Sequence, residues 1–138
     1  MPSPVIRFRI DFANDCYVGP GKIDLLEAIH RTGSLSQAAR DLHMSYRRAW
    51  LLTASLKSSF RESVTVAATG GKGGGGVTLT RFGERLIKSY RTLEHDIALL
   101  AARRLRDLSP AVRARAAARS PSSPRPLARK QRRKSAAT

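Results

Sequence analysis

Apolar and polar positions follow different rhythms along the first hundred residues, and each rhythm predicts an element. Ile6, Phe8, Ile10 and Phe12 alternate with Arg7, Arg9 and Asp11, the period of two that marks a half-buried strand whose apolar face needs a partner. Pro20 and Gly21 then punctuate the chain, and Ile23, Leu26, Ala28 and Ile29 carry helical spacing as far as Gly33, a natural helix stop. Directly afterwards Ser34 and Gln37 form an S-x-x-Q capping box, in which hydroxyl and amide satisfy each other's orphan backbone donors. It predicts a short second helix from Leu35 to about Leu42. His43 and Met44 make a turn, and Ser45 caps a third helix running to about Phe60. Two helices joined this tightly after a first make a helix-turn-helix arrangement.

Two β-rich runs follow, at 63–69 and 77–80, separated by GGKGGGG, and a hairpin with a long glycine tip is their simplest reading. Thr80 caps a last helix in which Leu86, Tyr90, Leu93, Ile97 and Leu100 are spaced four, three, four and three, the seam of a coiled coil and hence of a dimer. Gly83 falls in the first turn of this helix, where it is costly unless another backbone comes close. The helix start is therefore expected to pack tightly against the hairpin or the third helix. The fold class is mainly α with a small β-hairpin wing: a winged helix-turn-helix followed by a long C-terminal dimerisation helix.

Charge divides the chain differently. Residues 1–109 hold 17 basic and 10 acidic residues, whereas 110–138 hold 9 basic and none acidic, for a net charge of +16 over all 138 residues. The second block is Ala, Pro, Ser and Arg with few large apolar residues, too little to offset the entropy of ordering. It is expected to be a disordered basic tail behind a folded domain at 1–109. So large a surplus favours a polyanionic partner, and double-stranded DNA suits the helix-turn-helix. No stretch approaches the roughly 20 apolar residues of a membrane span. The alternating N-terminus lacks the apolar block of a secretory signal, and Cys16, the only cysteine, fits a reducing cytoplasm.

At about 100° per residue, Ala49, Leu52, Thr53, Leu56 and Phe60 share the core side of the third helix. Arg47, Arg48, Leu51, Ala54, Ser55 and Ser58 collect opposite. Residues near the start of a recognition helix reach base edges, so Arg47 and Arg48 are the first candidates, with Ser45 and Tyr46 beside them. Arginine grips guanine O6 and N7 with two hydrogen bonds, although the same residues could hold phosphates instead. Trp50 flanks the two faces and is assigned to the core. Ser36 and Gln37 lie where the second helix approaches the backbone, and capping competes for Gln37. At the wing tip, Lys72, Gly73 and Gly74 combine one charge with a main chain able to approach a duplex closely.

The strings G-S-L-S-Q-A-A-R-D (33–41), M-S-Y-R-R-A-W (44–50), A-T-G-G-K-G-G-G-G (68–76) and L-T-R-F-G-E-R-L-I (79–87) resemble the DNA-binding half of the molybdate-dependent transcriptional regulators, the ModE family, itself related to the LysR-type winged helix. The likeness covers roughly residues 20–95, and the glycine string is its most specific part. It implies a bacterial homodimer on a partly palindromic operator, with the third helix in the major groove and the wing on the flanking backbone or minor groove. Full-length members add molybdate-binding domains after the final helix. Here the basic tail follows instead, so this chain alone is expected not to bind molybdate.

Other chemistry finds little footing. G-K-G-G-G-G contains G-x-G-x-x-G, but a strand and not a helix follows it, and a P-loop fails because Val66 stands at its first glycine and Gly73 follows Lys72. His30, His43 and His95 lack the paired spacing of a zinc site, and no nucleophile meets a base. Neither a metal, a cofactor nor an enzymatic activity is expected. The competing class is a nucleoid-associated protein that coats DNA without regard to sequence, using the tail as its grip. The capping box and recognition helix argue for the sequence-specific regulator.

Overall fold

A computed structural model of the chain describes residues 4–68 and 76–113. The chain divides into two units, Met1–Arg106 and Asp107–Thr138. Within the second, the described residues form one 3-10 turn, Ser109–Ala111, in which the Ala111 N–H donates to the Leu108 carbonyl at 2.9 Å. The rest of the expected basic tail, from 114 onward, lies outside the described residues.

The first unit runs β1 (Ile10–Asp11), β2 (Tyr17–Val18), α1 (Pro20–Thr32), α2 (Leu35–Asp41), α3 (Tyr46–Ser59), β3 (Thr65–Ala68), β4 (Gly76–Leu79) and α4 (Arg81–Arg104). It is a mainly helical fold with two small antiparallel hairpins, β1–β2 and β3–β4. None of the described helices is long and apolar enough to cross a membrane.

The period-two run at the N-terminus becomes a much shorter strand than its pattern predicts. Exposure alternates from Ile6 to Asp11, yet only Ile10 and Asp11 pair, with Val18 and Tyr17. Asn14 and Asp15, both at positive φ, turn the chain after Phe12, which stands exposed on the turn with its ring edge-on to Phe60. Asparagine and aspartate tolerate that left-handed backbone better than most residues.

Pro20 opens α1 where the sequence pattern set a boundary ahead of the helix. At the first helical position a proline forfeits only an N–H that has no partner in any case, and its fixed φ suits the helix. Gly33 closes the helix as expected, at φ 68°, with its N–H on the Ile29 carbonyl at 2.8 Å. Ile23, Leu25, Leu26 and Ile29 of α1 are buried, and around them pack Ala38 and Ala39 of α2, Ala49 and Leu56 of α3, Val64, Leu79 and Tyr90. Helix α1 is thus the axis on which the other helices and the wing are assembled.

The wing pairs Thr65 with Leu79 through Ala68 with Gly76. Its return strand is tied to the body by main-chain atoms, since the Val77 N–H donates to the Gly33 carbonyl at 3.0 Å. At its foot, Thr80 accepts from the Gly83 N–H at 3.0 Å to cap α4, donates its hydroxyl to the Ser63 carbonyl, and donates its own N–H to the Val64 carbonyl at 3.1 Å. The close approach expected at Gly83 is here: a Cβ on this glycine would overlap the Val64 carbonyl oxygen.

The apolar stripe of α4 splits into two parts. Leu86 packs at the edge of the core, and Tyr90 lies inside it, its ring stacked on Phe8 at 4.6 Å and its hydroxyl on the Phe8 carbonyl at 2.7 Å. The N-terminal segment thereby occupies one position, Tyr90, that the spacing offers to a partner helix. Farther along, Ile97 is half-buried, while Leu93 and Leu100 remain 40% and 46% exposed.

Candidate nucleic-acid interface

The joint between α2 and α3 is built from local hydrogen bonds. Ser34 accepts from the Gln37 N–H at 3.2 Å and starts α2. The reciprocal arm of the expected capping box is absent, because the Ser34 N–H is already taken by the Thr32 hydroxyl. The Gln37 amide instead donates to Asp41 at 2.7 Å and accepts from Arg40 at 2.9 Å. His43, at φ 55°, reverses the chain, and the Met44 N–H returns to the Ala39 carbonyl at 3.0 Å. Ser45 then accepts from the Arg48 N–H at 3.1 Å, so α3 begins at a fixed angle to α2.

This arrangement brings Ser45, Tyr46, Arg47 and Arg48 together as the exposed first turn of α3. Ser36 is exposed on the first turn of α2, and Gln37 is half-buried behind it. Lys72, Gly73 and Gly74 fall outside the described residues. Helix α3 carries Arg47, Arg48 and Lys57 and not one carboxylate, so its outer face presents unopposed positive charge.

Two residues on α3 stand elsewhere than the helical wheel places them. Trp50, assigned to the core, is 55% exposed beside the equally exposed Tyr46. The inner face is filled by Ala49 and Leu56 with Leu52 and Thr53 at its margins. Ser55, counted with the outer face, turns inward and accepts from the Lys22 ammonium at 2.9 Å. Leu51 keeps its outer position, 50% exposed.

Lys22 is a residue the sequence pattern did not single out. Its side chain leaves α1, is 1% exposed, and spends its donors on the Tyr17 carbonyl at 2.9 Å and Ser55, with the Tyr17 ring 3.4 Å from Nζ. Burial, and then the Arg9 charge, push this ammonium below the usual lysine range. The lysine fastens the N-terminal hairpin, α1 and α3 to one another. No spacing rule distinguishes it from a surface lysine.

Away from α3, Arg91 gathers three acidic residues. It holds Glu27 at 2.6 Å, Asp24 at 2.8 Å and Glu94 at 3.1 Å, so α1 and α4 are clamped through one guanidinium. The Glu27 hydrogen bond, opposed by burial and aided by Asp24, holds Arg91 still more firmly protonated than usual. Three carboxylates are thereby confined to a face other than that of α3. Among the described residues no group of three or more His, Cys, Asp or Glu is placed to hold a metal ion.

No family model matches the chain. Curated relatives do. It is 43% identical over 83 residues to the molybdenum-pterin-binding protein MopB of Rhodobacter capsulatus, covering 60% of this chain and 31% of MopB. It is 46% identical over 77 residues to the transcriptional regulator ModE of Yersinia pestis, covering 56% and 29%. To the DNA-binding transcriptional dual regulator ModE of Escherichia coli it is 43% identical over 88 residues, covering 64% and 34%. Over that stretch the chain is similar in sequence to the ModE proteins. It spans about a third of the length of these relatives, and the ModE-like stretch accounts for more than half of the chain.

Proposed function

We propose that the chain is a sequence-specific regulator of transcription that binds double-stranded DNA in the bacterial cytoplasm through α3. The carrying observation is the capped first turn of α3, where Arg47 and Arg48 stand exposed on a helix without a carboxylate. Helix-turn-helix proteins lay such a helix in the major groove with its first residues against base edges. Arg47 and Arg48 are the readers in this proposal, Ser45 and Tyr46 flank them, and Ser36 and Gln37 meet the backbone beside α2. Lys72, Gly73 and Gly74 are assigned to the flanking duplex. The relatives named as transcriptional regulators support the reading.

The protein acts as a homodimer in this proposal, through the outer half of α4, where Leu93, Ile97 and Leu100 continue the stripe begun by Leu86 and Tyr90 inside the protomer. Leu93→Asp should give monomers by sedimentation, and a wild type that is itself monomeric at micromolar concentration would remove the dimer. The reading assigns no catalysis, metal or cofactor. It also assigns no molybdate site to this chain; among the described residues no buried side-chain nitrogen or oxygen is left without a partner.

Selection from a randomised duplex pool tests the function. A regulator enriches one motif and binds it roughly 10³-fold or more above random DNA. Arg47→Ala or Arg48→Ala should relax preference at one position, whereas loss of a phosphate contact weakens all sites together. Identical motifs from wild type and both variants would overturn the base-reading assignment.

A further inference from the structure

Leu51 presents a large apolar side chain to water, half exposed, on the outer face of a helix; the positions nearest to it on that side, Arg47, Ala54 and Ser58, are polar or small, and the exposed Tyr46 and Trp50 lie farther round the helix. It follows Arg47 by four residues and so shares its side of α3, one turn farther from the N-terminus. The residues beyond it on that side, Ala54 and Ser58, are small, and nothing longer holds a surface away from the leucine. Ala49 and Leu56 fill the inner face, so Leu51 is not displaced core. The exposed surface of the helix carries Arg47, Arg48 and Lys57 beside Tyr46 and Trp50 and no acid, a charge that suits a polyanion.

Resting on the reading of α3 as the recognition helix, we infer that Leu51 is a specificity residue that recognises a thymine by its 5-methyl group, beside the base gripped by Arg47. The thymine methyl is the one apolar group that a base pair displays in the major groove, and aliphatic side chains recognise it by contact. Four residues advance about 6 Å along the helix. At 3.4 Å per base along a strand, that places the thymine about two steps or fewer from the Arg47 contact. Arginine alone cannot distinguish thymine from cytosine at that neighbouring position. The leucine adds the distinction by losing its water against the methyl group.

The test uses the full chain and the duplex motif it selects, with each thymine replaced in turn by deoxyuridine, which pairs identically and lacks only the methyl. Wild type should bind about three- to fivefold more weakly when the contacted thymine in one half-site is replaced, the effect of withdrawing one methyl-sized apolar contact. Leu51→Ala should bind the thymine and uracil duplexes alike while keeping the base preference set by Arg47, and Leu51→Met should retain the discrimination. Equal wild-type affinity for every uracil duplex would overturn the inference and leave sequence-specific binding standing. Discrimination that persists in Leu51→Ala would assign the methyl to another side chain and also overturn it. A change of sedimentation in Leu51→Ala with no change in uracil discrimination would make this surface an interface between copies. If no motif is selected at all, the recognition-helix reading falls and this inference with it.

Discussion

Gly21 and Gly83 occupy the first turns of α1 and α4, and replacing each by alanine should move stability in opposite directions. In an unobstructed helix the change stabilises by about 0.4–1 kcal/mol, through a less entropic unfolded chain and better helix propensity. Around Gly21 no heavy atom lies within 4 Å of the position a Cβ would take, so that gain should appear in full. At Gly83 the same methyl would overlap the Val64 carbonyl oxygen, which also accepts the Thr80 N–H at 3.1 Å. Backbone at both contacts leaves no side chain that could swing away. Relief requires α4 to lift from the foot of the wing, at about 1–3 kcal/mol for overpacking plus about 1 kcal/mol for a weakened hydrogen bond. Set against the propensity gain, the net loss is about 1–3 kcal/mol. For a domain of this size each kcal/mol shifts Tm by about 4–8 °C, so Gly83→Ala should lower Tm by roughly 5–20 °C and Gly21→Ala should raise it by a few degrees. Thermal melts followed by circular dichroism, with urea titrations to confirm an unchanged slope, measure both. A Gly83→Ala protein as stable as wild type would show that the Val64 carbonyl yields freely, and the argument from close approach would fail.

Three further outcomes are expected. Tyr90→Phe should lose about 1–3 kcal/mol, since it leaves the Phe8 carbonyl without its donor in a buried setting. Burial, and then Glu94, push the Tyr90 phenol above the usual tyrosine value, so the unfolded chain ionises first, near pH 10, and wild type should lose stability as pH rises from there; the Phe variant should lack that contribution in urea titrations across the range. Lys22→Met keeps the aliphatic stem but abandons the Tyr17 carbonyl and Ser55; it should cost about 1–3 kcal/mol and raise hydrogen exchange in both β1–β2 and α3, and loss confined to α1 would refute the bracing role. Deleting 110–138, with its nine cationic residues, should flatten the slope of log affinity against log salt while leaving the ratio of motif to random DNA unchanged; an altered base preference would mean that these residues read a groove.

Much of the architecture is legible in the sequence because its signals are local. Ser34, Ser45 and Thr80 each cap the helix that follows them, and Gly33 stops the helix before it, since a cap is decided by atoms a few residues apart. The first turn of α3 was legible for the same reason. What escaped depends on competition between distant parts. Trp50 sits near the border of two faces, and only the packing of Ala49 and Leu56 against α1 excludes it from the core. Tyr90 fits a coiled-coil seam as well as an internal core, and the choice is made by Phe8, 82 residues earlier. Lys22 reads as an ordinary basic residue until the hairpin and α3 close over it.

The bond from Val77 to the Gly33 carbonyl joins main chain to main chain, and that has a consequence for how such a protein can change over generations. That hydrogen bond does not involve the side chain at 77, and its demands fall on glycines: Gly33 at positive φ, and Gly76, where a Cβ would lie 3.2 Å from the same carbonyl oxygen. The exposed positions of α3 take no part in this junction. Substitutions there can rewrite what is read while the mounting keeps its aim, so duplicated copies of the gene can diverge in target without first having to rebuild the frame.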